Sequence, residues 1–123
     1  MAQEALPDPE AIEPCNAKLA VLWALGLRRR YRVAGSSMEP TLRAGQSVLL
    51  HPRSFSACAP KAGDVVLIRH PHEHERIAVK RLAYVQDRQL FVVGDNRQAS
   101  TDSRSYGLVP MDNLLGRIEC TFP

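Results

Sequence analysis

The sequence predicts a mainly β domain, a small curled antiparallel sheet or barrel preceded by one short helix. Three observations support this fold class. Short runs rich in Val, Ile, Leu and Phe recur between residues 47 and 122, as is typical of strands. Gly and Pro separate these runs, as turns require. The chain has 123 residues and no internal repeat, which is enough for one domain with one core.

The N-terminal part predicts a lead-in and a helix. Residues 1–15, with prolines among acidic residues, predict a loose lead-in, and residues 16–123 a single domain. The apolar run 19–27 predicts a short helix over residues 16–30, capped by Asn16. A spanning helix needs about 20 apolar residues, so this run is too short. Basic residues also stand where a secretory signal would be cleaved. We therefore expect a cytoplasmic protein whose helix packs on the domain or touches a membrane surface.

The remaining elements follow in order as strands. The apolar runs predict strands at 47–51, 64–69, 77–85 and 89–93, then a helical turn at 111–115 and a last strand at 117–122. Such a series of short strands, joined by Gly and Pro, predicts a sheet that closes on itself.

Charge and cysteine content set further bounds. The net charge is +3, and part of the excess lies at residues 28–32, which could form a solvated edge or meet phosphate, anionic lipid or an acidic peptide. The three cysteines, Cys15, Cys58 and Cys120, are odd in number and lack C-x-x-C spacing. They predict reduced thiols rather than a disulfide framework or a zinc site.

The stretch 33–42, VAGSSMEPTL, suits neither a strand nor a helix. Gly35 permits a close approach of the backbone, and Pro40 stops a helix and favours extended geometry at Glu39. A serine on such a bend can offer its hydroxyl and its own N–H to one incoming carbonyl group. The alternative is an ordinary serine-rich turn.

A lysine interrupts the apolar strand 77–85. Period two places Lys80 on one face with Ala78, Leu82 and Tyr84. Burial would lower the pKa of this lysine and give a neutral amine that can accept a proton from serine. The alternative is a lysine in water on an edge strand.

A polar stretch, residues 94–107, follows the strand at 89–93. It combines charges of both signs with small hydroxyl side chains, which suits a hydrogen-bonded scaffold beside a buried lysine. A surface loop is the alternative interpretation.

These stretches together resemble the bacterial type I signal peptidases and their relatives. Residues 35–42 resemble the nucleophile box, in which the catalytic serine directly precedes Met; that serine is Ser37 here. Residues 63–68 resemble the Gly-Asp-hydrophobic strand of the family. Lys80 and Arg81 match the pair that contains the general base, and residues 94–107 match the last box nearly residue for residue. The matches run in the family's order over residues 33–116.

The resemblance implies a catalytic core of the signal-peptidase type and a serine endopeptidase with a Ser–Lys dyad, without cofactor or metal. Ser37 would attack the scissile carbonyl, and Lys80 would be the general base. Gly35 stands where some members carry a hydroxyl donor, so the N–H of Ser37 is expected to serve the oxyanion hole. Ser100 is expected to orient Lys80. Five residues are expected to give structural support: Arg81, Asp95, Asn96, Asp102 and Arg104.

In its predicted absence of a spanning segment and its arginine-rich lead into the nucleophile box, the sequence is similar to the maturation proteases of nickel-type superoxide dismutase. That similarity implies removal of an extended N-terminal pro-segment from a precursor protein, with no nucleic-acid partner and at most peripheral membrane contact. The alternatives are a conventional signal peptidase acting on secretory precursors, a self-cleaving domain of the LexA type, and an inactive binding module.

Three histidines alternate in the segment 70–75, HPHEHE. On a strand, His70, His72 and His74 would share a face and could bind a metal. Pro71 and the charged run after it favour an exposed hairpin loop, where ligands have few partners to orient them. We therefore expect no metal site here.

Overall fold

The structure, a computed structural model, describes residues 10–52 and 59–122. These residues form one seven-stranded antiparallel sheet with strand order β1-β2-β7-β3-β4-β5-β6 and short helical elements around it. The predicted fold class is confirmed. In chain order the elements are α1 Ala17–Ala24, β1 Arg29–Arg32, β2 Ser47–His51, β3 Val65–Arg69, β4 Ile77–Gln86, β5 Gln89–Val93, a 3₁₀ turn Arg97–Ala99, α2 Ser103–Tyr106, β6 Val109–Pro110, a 3₁₀ turn Met111–Asn113 and β7 Leu114–Phe122.

The N-terminal helix is shorter than predicted. Asn16 caps it as expected, because its side-chain oxygen accepts a hydrogen bond from the Leu19 N–H at 2.9 Å. The helix ends at Ala24, and Gly26 adopts a left-handed φ of 78°. The prediction of helix up to residue 30 is wrong, because residues 29–32 pair with β2 as strand β1.

A bulge in β4 corrects the predicted face of one residue. Leu82 pairs with Val92 and Tyr84 pairs with Phe91, so Ala83 is an extra residue between the two pairs. The Tyr84 ring stacks on Phe91 at 4.9 Å. Beyond the bulge the alternation of faces is reversed. Tyr84 therefore does not share a face with Lys80 and Leu82, contrary to the prediction.

The curled sheet buries apolar side chains on both of its faces. One core cluster joins residues of β2, β3, β4 and β7 to Val33, Met38 and Leu42, which lie in the segment between β1 and β2. The other joins β3, β4, β5 and β6. Because β3 and β4 contribute to both clusters, they are covered on both sides. Strand β3 is accordingly apolar from Val65 to Ile68, whereas β4 carries Lys80 and Arg81 within its apolar sequence.

The N-terminal segment of residues 10–15 is joined to the last strand. A disulfide bond links Cys15 to Cys120 of β7, with a Cα–Cα distance of 4.9 Å. The prediction of reduced thiols is therefore wrong for this pair. Residues 15 and 120 are 105 positions apart, so their proximity depends on the fold and has no local sequence signal. Cys58 and the rest of the predicted lead-in, residues 1–9, lie outside the described residues.

No helix within residues 10–52 and 59–122 is long and apolar enough to cross a membrane.

Candidate active site

The bend that carries Ser37 lies between β1 and β2 and is anchored in the core. Met38 and Leu42 are buried on one side of it, and the Leu42 N–H donates to the Met38 carbonyl at 2.9 Å. Gly35, with φ 77°, provides the left-handed turn before the serines. Burial of Met38 leaves its neighbour Ser37 at the border between core and solvent, half-buried.

The loop after β5 holds this bend from the other side. The Asn96 N–H donates to the Ser37 carbonyl at 2.8 Å, and its side-chain amide donates to the Ser36 carbonyl at 3.1 Å. Asn96 thus fixes the backbone of the serine pair without using a serine hydroxyl.

Lys80 is buried in the middle of β4, with 5% of its surface exposed. It lies opposite Val66 of β3, and its Nζ donates to Ser100 Oγ at 3.2 Å. Burial lowers the pKa of Lys80; Asp102 opposes that change, while Arg76 and Arg104 add to it. The interior thus favours the neutral amine, the form that can accept a proton.

Ser100 and Asp102 form the support for Lys80. Ser100 Oγ donates to Asp102 Oδ2 at 2.7 Å, so its lone pairs remain available to the lysine. Asp102 is fully buried and also accepts from the Gly94 N–H at 2.9 Å and from the Arg104 guanidinium at 2.9 and 3.0 Å. Burial would raise the pKa of Asp102, but the hydrogen bonds from Arg104, Gly94 and Ser100 outweigh it and lower the pKa.

A second buried network joins β4 to the bend that carries Ser37, which we call the nucleophile bend after the role predicted for this serine. Arg81, 2% exposed, donates to both oxygens of Asp95 at 2.9 and 2.8 Å. Thr41, next to the bend, donates its hydroxyl to Asp95 Oδ2. Arg81 also donates to the carbonyls of Gly63 and Glu10, at 2.8 and 2.9 Å. No role was predicted for Thr41 from the sequence, although it lies within the box that carries the serine.

Gly94 is another residue that the sequence analysis left without a role. A Cβ at this position would lie 2.5 Å from the Ser37 carbonyl oxygen and 2.5 Å from Ser100 Cβ. Ser37 and Ser100 are therefore neighbours across Gly94, and only glycine leaves room for both. The sequence signal for this role is a glycine directly after an apolar strand, which often marks a close approach of another part of the chain.

A small cavity of about 50 Å³ adjoins Lys80. It is lined by Ile68, His70, Arg76, Ala78, Lys80, Thr101 and Tyr106. The Nδ1 of His70 accepts the N–H groups of His72 and Glu73 at 3.0 Å each, so this histidine closes the hairpin turn between β3 and β4. Within the described residues, no group of His, Cys, Asp and Glu could hold a metal ion.

The arrangement combines a half-buried serine on a rigid bend with a buried lysine and a hydroxyl that orients it. This is the set of groups that a Ser–Lys hydrolase needs: a nucleophile, a neutral amine as base, and a partner that aims the base. Comparison with known proteins places the chain more narrowly. The family model described as signal peptidase, peptidase S26, matches residues 15–85 and 83–122, and the chain belongs to this family of serine endopeptidases.

Individual relatives agree with this assignment. The chain is 32% identical over 136 residues to the mitochondrial ATP-independent inner membrane protease subunit 1a of Arabidopsis thaliana, covering 88% of this chain and 81% of the relative. It is 30% identical over 105 residues to the human mitochondrial inner membrane protease subunit 1, covering 69% and 63%. It is 28% identical over 145 residues to the probable signal peptidase I-2 of Synechocystis, covering 80% and 66%. The chain thus spans less than two thirds of the human relative.

Proposed function

We propose that this chain cleaves peptide bonds with Ser37 as nucleophile and Lys80 as general base. The observation that carries the proposal is the burial of Lys80, with its Nζ held by Ser100, beside the bend of Ser37 in a chain of this family. An exposed lysine would be protonated and could not act as a base at neutral pH.

In the proposed reaction Lys80 Nζ removes the hydroxyl proton of Ser37 as Oγ attacks the scissile carbonyl carbon. The tetrahedral intermediate collapses, Lys80 gives its proton to the leaving amine, and an ester on Ser37 remains. A water molecule then loses a proton to Lys80 and attacks the ester. Lys80 returns this proton to Ser37 Oγ, so the serine and the neutral amine are both restored.

Negative charge on the carbonyl oxygen requires donors fixed before the reaction. The N–H of Ser37 is the donor that we propose, and it is worth about 3 kcal/mol by comparison with other hydrolases. Gly35 offers no side-chain donor. Its left-handed conformation instead provides the turn that leads the backbone into the two serines. Asn96 contributes by fixing the backbone on both sides of the 36–37 peptide.

The proposed substrate is an extended N-terminal segment of a precursor protein. Strand β1 lies at the edge of the sheet and leads directly into the nucleophile bend. An extended peptide can pair with such an edge, whereas a folded core cannot. A flexible segment at the end of a precursor meets this requirement.

Two precursor classes are the candidates. The motif resemblance described above favours the precursor of nickel-type superoxide dismutase. The names of the relatives, signal peptidase and inner membrane protease, favour precursors processed at membranes. Without substrate concentrated at a membrane, an enzyme must bind its precursor from bulk solution, which demands a tighter site.

For partners, we propose peripheral contact with a membrane through α1 and no nucleic acid. Val21 is exposed within the helix, and Leu25 and Leu27 are exposed just beyond its end, shortly before the arginines of β1. The cytoplasm expected from the sequence is a reducing compartment, in which a stable disulfide is unusual. The bond between Cys15 and Cys120 therefore favours an oxidising compartment instead.

The test is cleavage of two precursors followed by sequencing of the new N-termini. Full-length nickel-type superoxide dismutase precursor and a secretory precursor in detergent are each incubated with the purified chain. The Ser37→Ala and Lys80→Ala variants should lose activity by about 10⁴-fold or more while keeping the native circular-dichroism spectrum. Normal cleavage by Ser37→Ala would refute the proposed mechanism. Cleavage of only the secretory precursor would refute the superoxide dismutase assignment and leave the mechanism standing.

A further inference from the structure

The Cys15–Cys120 disulfide fixes a short segment that lies along the last strand. We call residues 10–15 the N-terminal clasp. The Cys15 N–H donates to the Thr121 carbonyl at 2.9 Å, and the Thr121 N–H donates to the Glu13 carbonyl at 3.0 Å. Pro14 forms a parallel bridge with Thr121. The clasp thus pairs with β7 at a single bridge, and the disulfide fastens its end.

The clasp reaches the scaffold of the active site at two points. The Glu10 carbonyl accepts a hydrogen bond from Arg81 Nη2 at 2.9 Å, and Arg81 holds Asp95 with the same guanidinium. Ile12 packs against the core cluster that contains Met38 and Leu42, which anchor the nucleophile bend. Contacts therefore run from the clasp to the residues that anchor the bend of Ser37.

We propose that the Cys15–Cys120 disulfide is a redox-controlled latch on the active site. The disulfide-bonded chain is the active form, and a dithiol reductant, such as a thiol–disulfide oxidoreductase, lowers its activity by releasing the clasp. The part of this proposal that concerns activity rests on the proposed function.

The two cysteines differ in access, and this sets the course of reduction. Cys120 is buried, whereas Cys15 is partly exposed. A thiolate of the reductant attacks Cys15 Sγ, the bond between the cysteines breaks, and Cys120 leaves as a thiolate that takes up a proton. The second thiol of the reductant then displaces Cys15. The products are two cysteine thiols and one oxidised reductant, so two electrons pass from reductant to chain.

Release of the clasp should weaken the scaffold without removing a reacting group. Without the disulfide, two hydrogen bonds to Thr121 remain to hold the end of the clasp, and the clasp can separate from β7. Arg81 then loses its Glu10 partner, and water gains access to the buried pair of Arg81 and Asp95. Asp95 also accepts the hydroxyl of Thr41, so the position of Thr41 is loosened as well. Small displacements of a nucleophile reduce the rate strongly, because the reacting atoms must be aligned.

The experiment compares oxidised and reduced chain in a Cys58→Ser background, so that only one pair of thiols responds. A glutamate-specific protease reports the clasp, because it cuts the bond between Glu10 and Ala11 only when this segment is released, whereas the bond from Glu13 to Pro14 resists such proteases. Cuts in the exposed loop at Glu73 and Glu75 serve as internal reference. We expect dithiothreitol to raise clasp cleavage at least about tenfold and to lower kcat about three- to tenfold with a smaller change in KM, and reoxidation to reverse both.

Two further variants complete the test. Cys15→Ser should behave like the reduced chain and ignore dithiothreitol. Ile12→Ala in the oxidised chain should give part of the same loss of kcat, because it loosens the clasp while the disulfide stays. Equal clasp cleavage in both redox states, or a released clasp with unchanged kcat, would overturn the latch. Absence of precursor cleavage by every form would contradict the proposed function instead, and the clasp measurement, which needs no substrate, would still support or overturn the latch.

Discussion

At the scale of single residues, the proposed chemistry depends on how Lys80 is buried. Its strand pairs with β3 and β5 on both sides, and bulk water is replaced by Ser100 as the partner of Nζ. Burial lowers the pKa of Lys80 from the ordinary 10.5. Between the lowered pKa and the ordinary one, the unfolded chain binds more protons than the folded chain. In this pH window, the contribution of Lys80 to the free energy of unfolding therefore increases as the pH rises.

The first residue-scale prediction concerns the pH dependence of the rate. The kcat/KM for precursor cleavage should rise with pH as Lys80 loses its proton, and it should level off below pH 10.5 because the pKa is lowered. The measurement is a pH–rate profile of the purified chain. A rate that keeps climbing past pH 10.5 would show an ordinary lysine and contradict the importance of burial.

The second prediction concerns Gly94. In Gly94→Ala the added methyl group would overlap the Ser37 carbonyl oxygen and Ser100, so one of them must move. We expect kcat to fall about 10²-fold, because nucleophile and base lose their alignment. Steady-state kinetics on a cleaved precursor, together with a thermal melt, measure the effect.

Gly26→Ala is the matched control. Gly26 has a left-handed φ of 78°, so alanine is strained there, but among residues 10–52 and 59–122 no atom beyond its two chain neighbours lies within 4 Å of the new Cβ. This variant should lose stability by about 1 kcal/mol and keep its kcat. Equal losses of kcat in both variants would mean that Gly94 acts through general stability alone.

At the scale of elements, turns and local tertiary contacts decided where the predictions succeeded. The predicted β2 and β5 have the observed bounds, because each is a compact apolar run between turn residues. Strand β1 was missed, because four residues of which three are arginines do not look like a strand. Hydrogen bonding to β2 stabilises the extended conformation of these residues, which their side chains do not favour by themselves.

One prediction belongs to α1. The helix has no buried residue, and Leu25 and Leu27 beyond its end are 67% and 55% exposed. An apolar end beside arginines suits the surface of an anionic bilayer. We expect weak binding to vesicles that contain phosphatidylglycerol, reduced at high salt because the arginines are screened. Flotation at low and high salt measures it.

The control for this prediction compares two surface changes. Leu25→Glu should abolish flotation, and Val85→Glu, an equivalent change at an exposed position of β4, should leave it intact. Binding of the whole sample that resists high salt would contradict a peripheral contact. Loss of binding in both variants would show that net charge, rather than α1, controls it.

At the scale of the whole molecule, the sheet order assembles the site. Ser37 follows β1 at one edge, whereas Lys80 lies on β4, and β2, β7 and β3 stand between them in the sheet. Curling of the sheet and the loop after β5 bridge this distance, since Asn96 binds the Ser37 backbone and Ser100 binds Lys80. The site is therefore a property of the curled sheet and of no single segment.

The sequence by itself determined the fold class, the family and the residues from which the site is proposed, because apolar alternation and short boxes are local properties of the chain. Only the tertiary structure decided how these residues are connected. The Thr41–Asp95–Arg81 network, the space left by Gly94 and the Cys15–Cys120 bond each join residues more than 50 positions apart or depend on such contacts. Sequence periodicity carries no information about such pairs, since their proximity arises when the sheet curls and the two halves of the chain are brought into contact.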